Sequence, residues 1–335
     1  MSDHDRESHI ENPYVSNNLE DINDESGRIN RKNRWYIIFG IIAVTSIVIR
    51  LLMHYRFDKN ALLYVGIPSL IAIGLMQIER PNSDGNWRRK FANLVLISLI
   101  IMLGSSIILF EGFLCVVMFM PIYFGVILVV FILKYLTERY KNKKSSKLYS
   151  HVLPLILLVS AFEGTHPNLS ITRQNHVEVT RIINASISEI KQQLVQPINL
   201  QKDRHWFLEL FPMPHKVDGM SLNEGDVHKI HFRYHRWFVT NTHEGSMQMK
   251  IEEVGEQEVK TQFIGDTSYI ANYLKLDKTE LKLTKIDNET TQITFSIHYE
   301  RLLDPAWYFD PLQKYGVTKT AEFIIAEVMT PDETF

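Results

Sequence analysis

The sequence holds one cysteine, Cys115, in 335 residues. No disulfide can form within the chain, and neither a four-cysteine zinc site nor a CxxC redox pair is available. Net charge is equally scarce: 36 Lys and Arg stand against 38 Asp and Glu, a balance of −2. Nothing resembles the basic stripe that tracks nucleic acid, so no nucleic-acid partner is expected. The glycine and histidine patterns of GxSxG, HExxH, Walker and dinucleotide-binding motifs do not occur. No catalytic residue, metal site or cofactor is therefore assigned. A cleavable signal peptide is not expected either, because the apolar runs begin late and are followed by more of them.

Apolar residues are plentiful but unevenly spread. Residues 1–33 are polar and acidic and read as a disordered tail. Residues 34–163 carry five long apolar runs: Trp35–Met53, Ala61–Ile78, Phe91–Phe110, Phe113–Leu133 and the shorter Leu148–Phe162. About 20 mostly apolar residues cross a bilayer as helix, so these runs predict an N-terminal all-α transmembrane bundle of about five helices. Fourteen Lys and Arg flank alternate ends of the runs (Arg28–Arg34, Arg80–Lys90, Lys134–Lys147), against Arg56 and Lys59 on the other side. That bias places the N-terminus in the cytoplasm. If Leu148–Phe162 spans, the C-terminal domain stands outside the cytoplasm, which is the arrangement expected. If that run lies on the interface, the domain is cytoplasmic. Arg50, Glu111 and Glu163 then fall near one membrane surface, as a polar cluster for a headgroup or for docking the soluble domain, or as side chains that snorkel.

Residues 164–175 are polar, contain Pro167, and read as a linker. Residues 176–335 follow a different pattern. A strand at His176–Ile183 precedes a helix over Ser186–Gln196, capped by Ser186 or Ser188. Trp206–Phe211 is a short apolar piece that Pro212 and Pro214 stop. Period-two alternation then marks strands at Val227–Phe238, around Met247–Ile251, at Val259–Ile264 and Leu281–Ile286, and a last one facing inward with Ile293, Phe295, Ile297 and Tyr299. A long amphipathic helix is expected from Pro311 to Met329, with Pro311 in its first turn and Leu312, Tyr315, Phe323, Ile324 and Val328 as its apolar positions. The fold class is α+β, a curved antiparallel sheet around a C-terminal helix.

The richest polar cluster is His228, His231, His235 and His243, with Arg233 and Arg236. Along a strand His231 and His235 lie about 13 Å apart, too far to share one metal ion, and they alternate with the apolar face. They read as an outward polar face. Trp206, Trp237, Trp307, Tyr308 and Phe309 read as core aromatics or as rings at a pocket or interface.

The opening VTRIINASISEIKQQLVQP and the ending HYERLLDPAWYFDPLQKYGVTKTAEFIIAEVM resemble those of the SRPBCC, or START-like, superfamily of helix-grip domains. Polyketide cyclases, lipid-transfer domains and Bet v 1-like proteins belong to it. The run FEGFLCVVMFMPIYFGV resembles the membrane part of bacterial proteins in which several helices precede such a domain. The resemblance implies an inner-membrane location and a cavity between sheet and helix for an apolar ligand. It implies no shared catalytic residue, and none is carried over. The expected lining is Phe232, Tyr234, Met249, Phe263, Phe295, Ile297, Tyr299 and Phe323. The expected function is membrane-anchored binding or transfer of a lipid or other hydrophobic small molecule. Membrane lipids, that small molecule and another membrane protein are the expected partners. A tethered interaction or sensing module with a filled core is the alternative, and a cyclase- or hydrolase-like enzyme a third reading.

Overall fold

The computed structural model describes residues 40–41, 44–45, 48, 59, 61–69, 87–109, 113–139, 161–196, 204–219, 221–237 and 240–331. The expected runs Trp35–Met53 and Leu148–Phe162 lie mostly outside these residues, as do Arg50 and Glu111. Helical residues 61–69 enclose a π turn, Leu62–Gly66. Helices α1, Trp87–Leu109, and α2, Phe113–Arg139, follow. Among the described residues one stretch, Val116–Leu133 in α2, is long and apolar enough to cross a bilayer, and Phe91–Gly104 in α1 is shorter. A cluster that includes Val65, Ile101, Tyr123 and Ile127 joins these helices, and the Tyr123 hydroxyl donates to Ser98 O at 3.1 Å.

Strand β1, Gln174–Ile183, opens the C-terminal domain. Helix α3, Ile187–Gln193, is begun by a capping box: Ser186 Oγ accepts from Glu189 N, and the Glu189 carboxylate accepts from Ser186 N. Ser186 thus takes the cap in place of Ser188. Two backbone donors that would otherwise point at nothing are satisfied there. Helix α4, Trp206–Glu209, follows, then strands β2 (Met213–Asp218), β3 (Val227–Trp237), β4 (Thr240–Val254), β5 (Glu258–Asp266), β6 (Leu274–Lys285) and β7 (Thr291–Arg301). The sheet is antiparallel throughout, in the order β1-β7-β6-β5-β4-β3-β2. This is a six-strand meander with β1 added beside β7, and helix α5, Ala306–Ile324, packs on it. The arrangement fits a helix-grip domain.

The sequence expectation missed one strand and misplaced one helix start. Helix α4 ends at Glu209, before Pro212 and Pro214, and Pro214 then lies within β2. That strand is the sheet edge, where a missing N–H leaves no ladder bond broken, and its pairing with β3 shifts register just after Pro214. The last helix starts at Ala306, five residues before Pro311, which sits inside it on an exposed face. Its buried stripe is Phe309, Gln313, Val317, Ala321, Ile325 and Met329, the last two in a π-helical continuation, Ile325–Met329. The expected apolar positions flank that stripe, and Tyr315 is 41% exposed.

One ionic network ties the domain's start to its end. Arg301, at the end of β7, is fully buried. It pairs with Asp304, stands 2.6 Å from Asp310 Oδ1 through Nε, and donates to Leu303 O and to Ile171 O at 3.1 Å. Asp304 also takes Arg173 Nη2 at 2.5 Å, and Arg301 N donates to Arg173 O at 2.8 Å. The segment before β1 is thereby clamped to the β7–α5 corner. Gly164 lies in the left-handed region at φ +82°, with the Asp304 carboxylate so close that a Cβ would stand 2.0 Å from Oδ2. Only glycine meets both conditions. Removing one partner of a buried charge network strands the other charges, at about 3–5 kcal/mol. Arg301→Leu should therefore lower the stability of the full chain by about that amount, read from its urea midpoint.

Candidate functional site

The inner sheet face is built by alternation. Ile230 and Phe232 of β3 point in, while His231 bonds Asp218 at 2.8 Å, Arg233 pairs with Glu244 at 3.0 Å and His235 meets Thr242 at 3.0 Å on the outer face. His228 has the parity of Ile230 and is buried on the inner side, with Nε2 2.7 Å from Ser221 O. Cross-strand neighbours continue the apolar surface: Ile230↔Met247, Met249↔Phe263, Val259↔Leu281 and Leu281↔Phe295. Between this face and α5 lies a cavity of about 360 Å³. Phe207 and Leu208 of α4, with Phe211 and Pro212, close one side.

Of the eight residues expected to line it, Phe232, Met249, Phe263, Phe295, Ile297 and Phe323 do so. Tyr234 and Tyr299 do not. Tyr234 stacks on Tyr269 with ring centroids 4.6 Å apart, in a packed cluster with Tyr273, Leu303 and Phe309. Tyr299 is wholly buried in the core between sheet and helix, and burial pushes its phenol up to about 12, helped by the Asp310 charge. Beyond Phe232 and Ile297 the space between sheet and helix is filled by aromatic rings, so the same inward parity ends in packing instead of in the cavity.

Several lining residues escaped sequence reading. Gln313 lies on the helix stripe, 5% exposed, with Nε2 donating to Tyr273 O at 3.0 Å. A four-residue spacing from Phe309 through Val317 and Ala321 could have marked it. Thr261 and Thr279, cross-strand partners, bond each other through their hydroxyls at 2.7 Å. Met118, in the apolar helix α2, also lines the cavity and packs with Tyr269, Tyr273 and Phe309. Nothing in the sequence announces that contact. It is held by the Tyr308 hydroxyl, which donates to Met118 O at 2.5 Å. Burial pushes that phenol up to about 12, so it keeps its proton.

Glu163, expected in a polar cluster for a headgroup or for docking the soluble domain, meets the start of α5. Its Oε1 accepts from Ala306 N at 2.9 Å, and its backbone oxygen accepts from Ala61 N at 3.1 Å. A carboxylate at a helix N-terminus is favoured by the exposed amides there. Among the described residues no three His, Cys, Asp or Glu gather as a metal site.

No protein-family model matches the sequence, and no curated protein does. Solved structures are similar over part of the chain. Norcoclaurine synthase from Thalictrum flavum is 15% identical over 48% of this chain and 94% of its own, with a TM-score of 0.32. The Zhui aromatase/cyclase from a Streptomyces species is 14% identical over 45% of this chain and 96% of its own, with a TM-score of 0.28. Ara h 8.0201 is 12% identical over 46% and 99%, with a TM-score of 0.30.

Asp266, which ends β5, supplies a pH signature near the turn that carries Ile270 of the lining. Its Oδ1 accepts from Ser268 N at 2.8 Å, and its Oδ2 is buried without a partner among the described residues. Burial raises this carboxyl above its ordinary 3.8. A carboxyl raised by folding stabilises the fold most when protonated, and that contribution is lost as pH rises through the folded-state value. Asp266→Asn should therefore be more stable than wild type at neutral pH. The advantage should vanish at acid pH, where Asp266 is itself uncharged. Melting temperature against pH checks both halves, and a pH-independent difference would contradict the burial cause.

Proposed function

We propose that this chain is a membrane-tethered binding protein for a lipid or other hydrophobic small molecule, which it holds in the sheet–helix cavity and exchanges with the bilayer. The observation that carries the reading is the cavity wall itself. It is almost wholly apolar, and one of its residues, Met118, belongs to the helix long and apolar enough to cross a membrane. A second feature supports the tether. Helix α2 buries Ile122, Val126 and Val130 on one face and exposes Leu128, Ile132 and Leu136 on the other. A helix apolar all round is stable where its outer face also meets hydrocarbon. On this reading the N-terminus is cytoplasmic, α1, α2 and the other apolar runs form the bundle, and the C-terminal domain stands at the outer surface. Affinity would come from burying apolar ligand surface, at about 25 cal/mol per Å².

The test uses the full chain, purified from membranes in detergent and extracted with organic solvent. Mass spectrometry should find a reproducible, near-stoichiometric hydrophobic molecule. Met249→Trp places an indole in the space that the ligand needs, and should cut the retained amount about tenfold while the fold survives, since overpacking is tolerated where room exists. An empty wild-type chain, or an unchanged load in a folded Met249→Trp chain, would remove the reading.

A further inference from the structure

The proposed binding role leaves open what kind of molecule the cavity takes, and its polar atoms narrow the choice. Among the described lining residues there is no Lys, Arg, Asp or Glu. An ionised headgroup drawn inside would lose its water and meet no counter-charge. Most of the wall's few polar groups are already engaged. His228 Nε2 bonds Ser221 O, Thr261 and Thr279 bond each other, and Thr320 Oγ1 donates to Gly316 O at 3.0 Å.

Gln313 differs. Its amide nitrogen faces Tyr273 O, and a backbone carbonyl can only accept, so the orientation of the amide is fixed by chemistry. Oε1 is left buried with no partner among the described residues. It is also the polar member of the Phe309, Val317, Ala321, Ile325 and Met329 stripe, where an apolar side chain would pack without this cost. A buried acceptor left unmet is unfavourable, and native structures rarely keep one without a use.

Resting on the binding role proposed above, we infer that the occupant is an uncharged amphiphile carrying a hydroxyl or similar donor, and that Gln313 Oε1 receives that donor. The wall offers an ionised carboxylate no Lys or Arg, so at neutral pH a fatty acid would have to give up its charge to enter. Ethers, esters and ketones without a donor leave Oε1 unmet.

Three probes with one alkyl chain separate these classes: hexadecanol, hexadecyl methyl ether and palmitate. Each is titrated into the full chain in detergent at neutral pH, and bound ligand is counted by native mass spectrometry. Hexadecanol should bind about tenfold more tightly than its ether, the size expected for one buried hydrogen bond, and palmitate no better than the ether. In Gln313→Met the alcohol and the ether should converge to within about twofold, with ether binding retained. Thr320→Val, another wall change, should keep the alcohol preference. The wild-type comparison stands even if Gln313→Met does not fold. Equal binding of alcohol and ether by wild type would overturn the inference, as it would if a water met Oε1 in the ligand's place, while leaving the cavity a binding site. Preference for palmitate would overturn the uncharged class. An alcohol preference that survives in folded Gln313→Met would overturn the role of that side chain. Failure of all three probes to bind would remove the binding role itself.

Discussion

The buried guanidinium of Arg301 is the constraint on which the rest of the domain depends. It sits where three parts of the chain must meet: the end of β7, the corner into α5, and the segment leading to β1. A buried cation is tolerable only when it is compensated, and here Asp304 and two backbone carbonyls accept its hydrogen bonds while Asp310 stands beside Nε as a second counter-charge. The same Asp304 draws in Arg173 and presses on Gly164. An apolar plug of the same volume could fill the space. It would not fix the angle at which α5 leaves the sheet, because hydrophobic contact is non-directional. The cavity volume depends on that angle.

Given the angle, the cavity follows from side-chain size and spacing. Toward the Arg301 end, Tyr234, Tyr269, Tyr273 and Phe309 fill the gap between sheet and helix with rings in edge and stacked contact. Farther along, α5 presents Gly316 and Thr320 to the cavity. Small residues on the helix opposite Met247, Met249 and Thr261 on the sheet leave space that no side chain reaches. Adding a Cβ at Gly316 would bring it to 3.1 Å from the Phe207 ring, so α4 also rests close against the helix there. The aromatic rings thus close one end of the void, and α4 closes a side.

Much of this was legible in the sequence, and the exceptions have physical causes. Strands β3 and β7 were plain because one face of each is buried and one is not, which leaves a period of two. Most of the expected lining followed from that period. Tyr234 and Tyr299 share it and yet miss the cavity, since parity fixes the face of a strand but not how far along it a void extends. Strand β2 was hidden by Pro214, because only the sheet's edge tolerates it and edge position is a tertiary fact. The start of α5 was hidden by Pro311, a usual first-turn residue placed here in mid-helix. Gln313 was hidden for a different reason: a polar residue in a buried stripe breaks the pattern by which the stripe is recognised. Met118 and the contacts of Glu163 join distant segments, and no local signal encodes them.

Those long-range contacts bear on how the cavity is kept intact. Its Met118 wall is not part of the sheet domain at all. It is held by Tyr308 to Met118 O, by Ala306 N to Glu163 Oε1, and by Asp304 N to Lys59 O at 2.9 Å. All three bonds leave from the five residues 304–308, directly after the Arg301 anchor and at the first turn of α5. The element that sets the helix angle is thus the element that grips the apolar helices. A displacement of those helices that broke the Tyr308 bond would take Met118 out of the wall and would pull on the first turn of α5, four residues before Gln313. Tyr308 and Gln313 stand five residues apart on α5, so one helix carries both the grip on Met118 and the polar acceptor of the cavity.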